Sequence, residues 1–127
     1  MRRGAAVTDS TAVHMAVAFA AMGSWAVLAN RSHGAGAAMA AGIVQGLVSA
    51  LITLGLKRLV EGLATRLPGR LALFGPPLAA WALSAALLLA IHGLAGTPEL
   101  LATVAVPNLV ATAYAVVWTL AVRGVWR

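Results

Sequence analysis

The chain contains no cysteine and very little charge. Its 127 residues therefore exclude a disulfide framework, thiolate metal sites and a cysteine nucleophile. Charged residues make up 9% of the sequence, whereas a soluble domain carries about 25%. Because 61% of the residues are hydrophobic, this composition cannot cover a water-exposed surface, and we expect the solvent to be largely lipid. The length predicts one domain that spans residues 1–127.

Acidic residues are scarcer still, and their positions restrict the chemistry. Asp9, Glu61 and Glu99 are the three acids, and all of them lie at or beyond the ends of apolar segments. A proton-coupled or cation-coupled carrier usually needs a carboxylate within the membrane, so the positions of these acids argue against a carrier of that kind. The sequence also has no Ser-His-Asp set, paired carboxylates, phosphate-binding glycine loop or HExxH motif. We therefore predict a protein that is not an enzyme and has no catalytic residues, no cofactor and no metal site.

Four apolar segments predict the fold. They cover approximately residues 11–29, 35–60, 71–94 and 99–122, and each is close to the ~20 residues that span a bilayer core. Short connections place sequence neighbours side by side in opposite directions. We therefore predict an all-α integral membrane protein with four transmembrane helices in an antiparallel bundle. The first segment also has features of a cleavable signal peptide, but Asp9 and His14 interrupt it, and we expect it to remain as a span.

Proline residues mark two of the predicted helix starts. Pro76 and Pro77 predict that the regular part of the third helix begins near Pro76, because proline is tolerated in a first helical turn. Before the fourth segment, Thr97 is predicted as the N-cap, with Pro98 at the first helical position and Glu99 in the first turn.

The basic residues predict the orientation. When the N-terminus is placed in the cytoplasm, eight of the nine basic residues lie on the cytoplasmic side and only Arg31 lies on the other. The positive-inside rule therefore predicts that both termini are cytoplasmic. The eight cytoplasmic residues are Arg2, Arg3, Lys57, Arg58, Arg66, Arg70, Arg123 and Arg127.

A polar row recurs along the second apolar segment. Gln45, Ser49, Thr53 and Lys57 are four residues apart, so they form one slowly winding stripe on a helix. The stripe predicts either interhelical hydrogen bonding or a polar cleft that binds substrate, with Lys57 at its cytoplasmic mouth.

Small residues form a second stripe beside the polar row. Gly42, Gly46 and Ala50 have the small-xxx-small spacing that lets another helix approach closely. We predict that this ridge packs against a helix of the same chain, of a second copy or of a partner.

The fourth segment carries a proline next to an amide side chain near its middle. Pro107 cannot donate a backbone hydrogen bond and is predicted to act as a hinge. Asn108 is predicted to join the polar cleft, and a contact between Asn108 and Gln45 would satisfy both amides.

These features lead to two main functional hypotheses, with an enzyme that acts on a membrane lipid through His or Lys as an outlier. The first is a carrier or flippase component for an anionic or lipid-like substrate, acting as an oligomer. The alternative is a non-catalytic accessory or assembly subunit of a larger membrane complex. The expected partners are the lipid bilayer, anionic lipids at the cytoplasmic face, and a homo-oligomer or larger membrane complex. Nucleic acid is not expected, because the basic residues are spread among apolar segments. An Ala- and Arg-rich composition with one lysine is typical of proteins from GC-rich bacterial genomes. Together with the four predicted spans, it predicts a multi-pass protein of a bacterial inner (plasma) membrane.

Overall fold

The computed structural model describes residues 2–125, and for residues 2–10 it describes the helical backbone alone. All regular structure in this part of the chain is helical. The elements are α1 (Arg2–Ala29), a 3-10 turn (Arg31–His33), α2 (Ala35–Arg66), α3 (Leu71–Ala95) and α4 (Leu100–Val122).

All four α-helices are long and apolar enough to cross a membrane, which indicates a multi-pass membrane protein. Within α1, the apolar span that meets this criterion is Thr11–Ala29. The prediction of a helical protein with four helices of membrane-spanning length is thereby confirmed. Many aliphatic side chains remain exposed on the outer surface, as a lipid solvent requires. Examples on α2 are Ile43, Leu47 and Leu51, which are more than half exposed.

The second helix is longer than its apolar segment. It continues to Arg66 instead of ending near Val60, so the polar residues after Val60 belong to the helix. Leu67 then has an extended backbone, with φ −79° and ψ 143°. The helix ends there because the residue before a proline, here Pro68, disfavours the α conformation.

The third helix begins at Leu71, so the prediction of a start near Pro76 is wrong. The preceding turn supplies the reason. The backbone N–H groups of Leu71 and Ala72 donate to the carbonyl oxygens of Pro68 and Gly69, each at 3.2 Å. These bonds satisfy donors that a helix start normally leaves unpaired, so the helix is established before the chain reaches its prolines.

The start of α4 also differs from its prediction. Thr97 is not the N-cap, because it completes the end of α3. Its N–H donates to the carbonyl oxygen of His92 at 3.0 Å, and Gly96 before it has φ 72°. Together with the Gly96 N–H bond to Gly93 O, this is a Schellman ending, which needs a left-handed residue after the helix. The regular helix α4 begins only at Leu100.

Helix α2 packs against each of the other three helices, most extensively against α1. The α1–α2 contact is close because glycines face each other. A Cβ atom at Gly23 would lie 2.9 Å from the carbonyl oxygen of Gly42 and 3.5 Å from the Cα of Gly46. A methyl group does not fit at this distance, so the two backbones touch directly.

The buried apolar residues form two clusters at different heights in the structure. One contains Val48, Leu88 and Val104, and we call this half of the molecule the Asn30 end. The other half, which we call the Lys57 end, contains a larger cluster packed against Tyr114 and Trp118. The buried members of the larger cluster are Leu56, Val60, Ala80, Ala111 and Ala115.

Candidate functional site

A chain of hydrogen bonds crosses the buried interior between α2 and α3. Gln45 and His92 are both fully buried, and His92 Nε2 lies 2.7 Å from Gln45 Oε1. His92 Nδ1 lies 2.7 Å from Thr97 Oγ1, and Gln45 Nε2 donates to Ser49 Oγ at 2.6 Å. A neutral imidazole with its proton on Nε2 donates to Gln45 and accepts from Thr97, so every polar atom in the chain has a partner. We call these four residues the His92 network.

A second buried cluster joins α1 to the start of α4. The Asn30 side chain is fully buried, and its Nδ2 donates to Thr103 Oγ1 at 2.7 Å and to Ala26 O at 2.9 Å. Its Oδ1 accepts from the backbone N–H of Glu99 at 3.0 Å. Asn30 therefore performs for α4, from another part of the chain, the role that an N-cap side chain performs locally.

Two further contacts strengthen this junction near the chain reversals. Trp25 Nε1 donates to Ala102 O at 2.9 Å. His33 Nε2 lies 2.8 Å from Glu99 Oε1, in an ion pair when the imidazole is protonated. Helices α1 and α4 are thus held together at the Asn30 end.

Between this junction and the Lys57 end, helices α1 and α4 separate. They enclose a cavity of about 490 Å³ with α2 as its floor, which we call the α1–α4 groove. Its volume lies within the range of small-molecule binding sites, roughly 300–1,000 Å³. Val17 of α1 and Val110 and Val117 of α4 are exposed for 59%, 47% and 52% of their surface, so the groove opens sideways between these helices.

The groove wall is almost entirely apolar. Polar groups are contributed by Ser49 and Thr53 on the floor and by His14 and Tyr114 towards the Lys57 end. The Thr53 hydroxyl donates back to Ser49 O at 2.8 Å, so it offers little to a polar ligand. The full lining consists of His14, Val17, Ala18, Ala21, Met22, Ser49, Ile52, Thr53, Leu56, Pro107, Val110, Ala111, Tyr114, Val117 and Trp118.

A group of polar and aromatic side chains surrounds Lys57 where the groove ends. Lys57 Nζ donates to Thr11 Oγ1 at 2.9 Å and lies 5.3 Å from the centre of the Trp118 ring, within cation–π range. Trp118 is stacked on Tyr114 with ring centres 6.3 Å apart. Trp118 Nε1 also donates to Glu61 Oε1 at 3.3 Å. We call these five residues the Lys57 cluster.

The structure divides the predicted polar row between different environments. Gln45 is closed off in the His92 network, Ser49 and Thr53 reach the groove floor, and Lys57 lies at the groove end. The row is therefore not one continuous cleft in the described residues. No sequence signal marked His92 as the partner of Gln45, because nothing in the spacing of α3 relates the two positions.

Asn108 lies on another side of α4 from the groove. Its Oδ1 accepts a hydrogen bond from Ser84 Oγ at 2.5 Å, and its backbone oxygen accepts from Thr112 Oγ1 at 2.8 Å. The predicted contact between Asn108 and Gln45 is wrong, since each amide has a different partner on α3. Neighbouring Pro107 does line the groove, and α4 continues through it without interruption.

The small-residue ridge is used within the chain. The Phe19 ring covers Gly46, and a Cβ at Gly46 would lie 3.0 Å from it. Gly42 is covered by Val27 in the same way, while Ala50 is half-buried. Because α1 occupies this ridge, a second copy or a partner has no access to it.

Comparison of the chain with protein-family models, with curated proteins and with solved structures finds no match.

Proposed function

We propose that the protein is a carrier or flippase component that takes an anionic, lipid-like substrate from the bilayer. The observation that carries this proposal is the α1–α4 groove, which is apolar inside and open sideways between two helices of membrane-spanning length. A site of this kind accepts a hydrocarbon chain from the surrounding membrane without exposing it to water.

The polar interior argues against a water-soluble substrate. Gln45 is fully buried, and both of its amide atoms are hydrogen-bonded. The His92 network thus supplies interhelical hydrogen bonds and leaves no unpaired group there to bind a solute. A lipid-like substrate keeps its chain in the hydrocarbon layer, and this chain is the part that the apolar groove accommodates.

The proposal includes a membrane orientation. In it, the helices form an antiparallel bundle in a bacterial inner membrane, with both termini and the Lys57 end in the cytoplasm. The short connections between helices and the eight-to-one distribution of basic residues support this arrangement. Anionic lipids of the cytoplasmic leaflet are then the nearest lipids to Lys57.

The proposal also includes a homo-oligomer, because four helices enclose little volume. Association then uses a surface other than the Gly42–Gly46 ridge, which α1 covers. The exposed aliphatic face of α2, with Ile43, Leu47 and Leu51, provides such a surface.

The test compares two substitutions of alanine by phenylalanine on α1. Ala21 lines the groove, whereas Ala16 is an exposed residue of the same helix outside the lining. Protein reconstituted in phosphatidylcholine vesicles should accelerate the exchange of fluorescent phosphatidylglycerol between leaflets. We expect Ala21→Phe to lose most of this flux and Ala16→Phe to keep it.

Equal flux in both variants, or no flux with the unmodified protein, would refute the carrier proposal. Either of these results would favour the alternative, a non-catalytic accessory subunit. In that case a partner protein would remain in stoichiometric amounts after gentle extraction and would be lost specifically from Ala21→Phe.

A further inference from the structure

We infer that Lys57 is the headgroup site of the α1–α4 groove and binds the phosphate of an anionic lipid whose chain lies in the groove. This inference rests on the proposed lipid-binding function and names the chemistry at the polar end of the same site. Three observations support it: no described carboxylate pairs with Lys57, the position of Lys57 along α2 matches the headgroup level, and the groove has the length of one leaflet.

The charge of Lys57 is not neutralised within the described part of the chain. Among the side chains that the structure describes, those of residues 11–125, no carboxylate lies within ion-pair distance of Nζ, although Glu61 is only one turn away. Glu61 instead accepts a hydrogen bond from Trp118, so the indole lies between the two charges. The ammonium group has a hydroxyl of Thr11 and a ring face as its neighbours. A half-buried cation with these neighbours is stabilised by an added anion.

The position of Lys57 along α2 matches the level of lipid headgroups. With a rise of 1.5 Å per residue, the helix covers roughly 33 Å between Ala35 and Lys57. A bilayer core is about 30 Å thick. If the Ala35 end lies at one membrane surface, the Lys57 ammonium group therefore lies close to the other.

The groove has the length of one leaflet. Along α4 its lining extends from Pro107 to Trp118. The helical rise makes this distance roughly 16 Å, about half of the ~30 Å bilayer core. A lipid chain from the leaflet at the Lys57 end therefore fills the groove while its phosphate lies beside Nζ. A phosphate oxygen then accepts the hydrogen bond that Thr11 Oγ1 now accepts.

The test compares two lipids with identical chains. Delipidated protein in detergent is equilibrated with equal amounts of phosphatidic acid and diacylglycerol, which differ only in the phosphate, and bound lipid is counted by native mass spectrometry. We expect the unmodified protein to favour phosphatidic acid by roughly tenfold, the size of one charge-assisted hydrogen bond. Lys57→Gln should bind both lipids equally, and Lys57→Arg should retain the preference.

Arg58→Gln is the matched control. Arg58 carries the same charge one residue further on and is exposed. Neither residue belongs to the groove lining, but Lys57 lies against Trp118 of that lining. We expect Arg58→Gln to leave the preference unchanged. The inference is overturned if Lys57→Gln keeps the preference, or if Arg58→Gln loses it to the same degree, since diffuse surface charge would then explain it.

Two further arms separate the source of the anion and the underlying function. Glycerol 3-phosphate has the phosphate without the chain. If it displaces phosphatidic acid at equal concentration, the site binds phosphate alone, and the inference of a lipid site is overturned. Ala21→Phe should reduce the binding of both lipids. If Ala21→Phe binds both normally while Lys57→Gln still loses the preference, the headgroup site stands and the groove function fails.

Discussion

Replacing Gln45 by leucine tests whether the buried polar row holds helices together. The leucine keeps the approximate volume but removes the acceptor for His92 Nε2 and the donor to Ser49. His92 is fully buried, so its N–H is left without a partner, which costs about 1–3 kcal/mol of folding free energy. We expect Gln45→Leu and His92→Leu each to destabilise the protein by this amount.

The double variant provides the decisive comparison. The double variant removes the donor and the acceptor of the Gln45–His92 bond together, so Gln45→Leu/His92→Leu should destabilise the protein by less than the sum of the single variants. Interhelical hydrogen bonds in membranes couple by about 0.6 kcal/mol on average and by up to about 1.7 kcal/mol. Reversible unfolding in mixed micelles, followed by circular dichroism, measures the four free energies. If the double variant is destabilised by the sum of the two single variants to within ~0.3 kcal/mol, the Gln45–His92 hydrogen bond is refuted. Leu78→Ala, at an exposed position of α3 outside both the groove lining and the proposed association surface, should have little effect and serves as the control.

Three further predictions concern packing, capping and topology. Gly23→Ala should lower the free energy of unfolding by about 1–3 kcal/mol, because its methyl group meets the α2 backbone. Gly55→Ala has open space around it and should raise the free energy of unfolding by about 0.5–1 kcal/mol in the same assay. Asn30→Ala should lower the free energy of unfolding by about 0.5–2 kcal/mol and should speed amide hydrogen exchange in the first turn of α4. Unchanged exchange would show that Asn30 does not cap this helix. Since the chain has no cysteine, single cysteines can report topology: Arg70→Cys should react only from the cytoplasm and Ser32→Cys only from outside, and the reverse pattern would invert the proposed orientation.

The sequence predicts the helices well because their signal is local. Segments of ~20 apolar residues and the short polar connections between them are visible without knowledge of the packing. The errors are at boundaries where distant groups intervene. Thr97 carries the composition of an N-cap, but its hydroxyl bonds to His92 and the capping is done by Asn30, which lies 69 residues before Glu99.

The candidate site is less predictable because it depends on which helices separate. The four-residue spacing from Gln45 to Lys57 correctly places a polar stripe on one helix, yet it does not reveal that Gln45 is enclosed while Thr53 faces a groove. The opposing residues, His92 and Tyr114, come from α3 and α4, whose rotation relative to α2 is a property of tertiary packing. The groove itself consists of common aliphatic residues, which carry no distinctive motif.

The pairing of polar groups across α2 and α3 also has a consequence for biogenesis. The two most extensive helix contacts join sequence neighbours, α1 with α2 and α3 with α4, so each half of the chain can form as a unit soon after insertion. Until the halves meet, Gln45 and Asn30 of the first half have no access to His92 and Thr103 of the second. Polar groups exposed in lipid favour the docking of the halves, so the last assembly step is the one that these hydrogen bonds drive. A chain that ended after α2 would therefore leave Asn30 and Gln45 without their partners on α4 and α3.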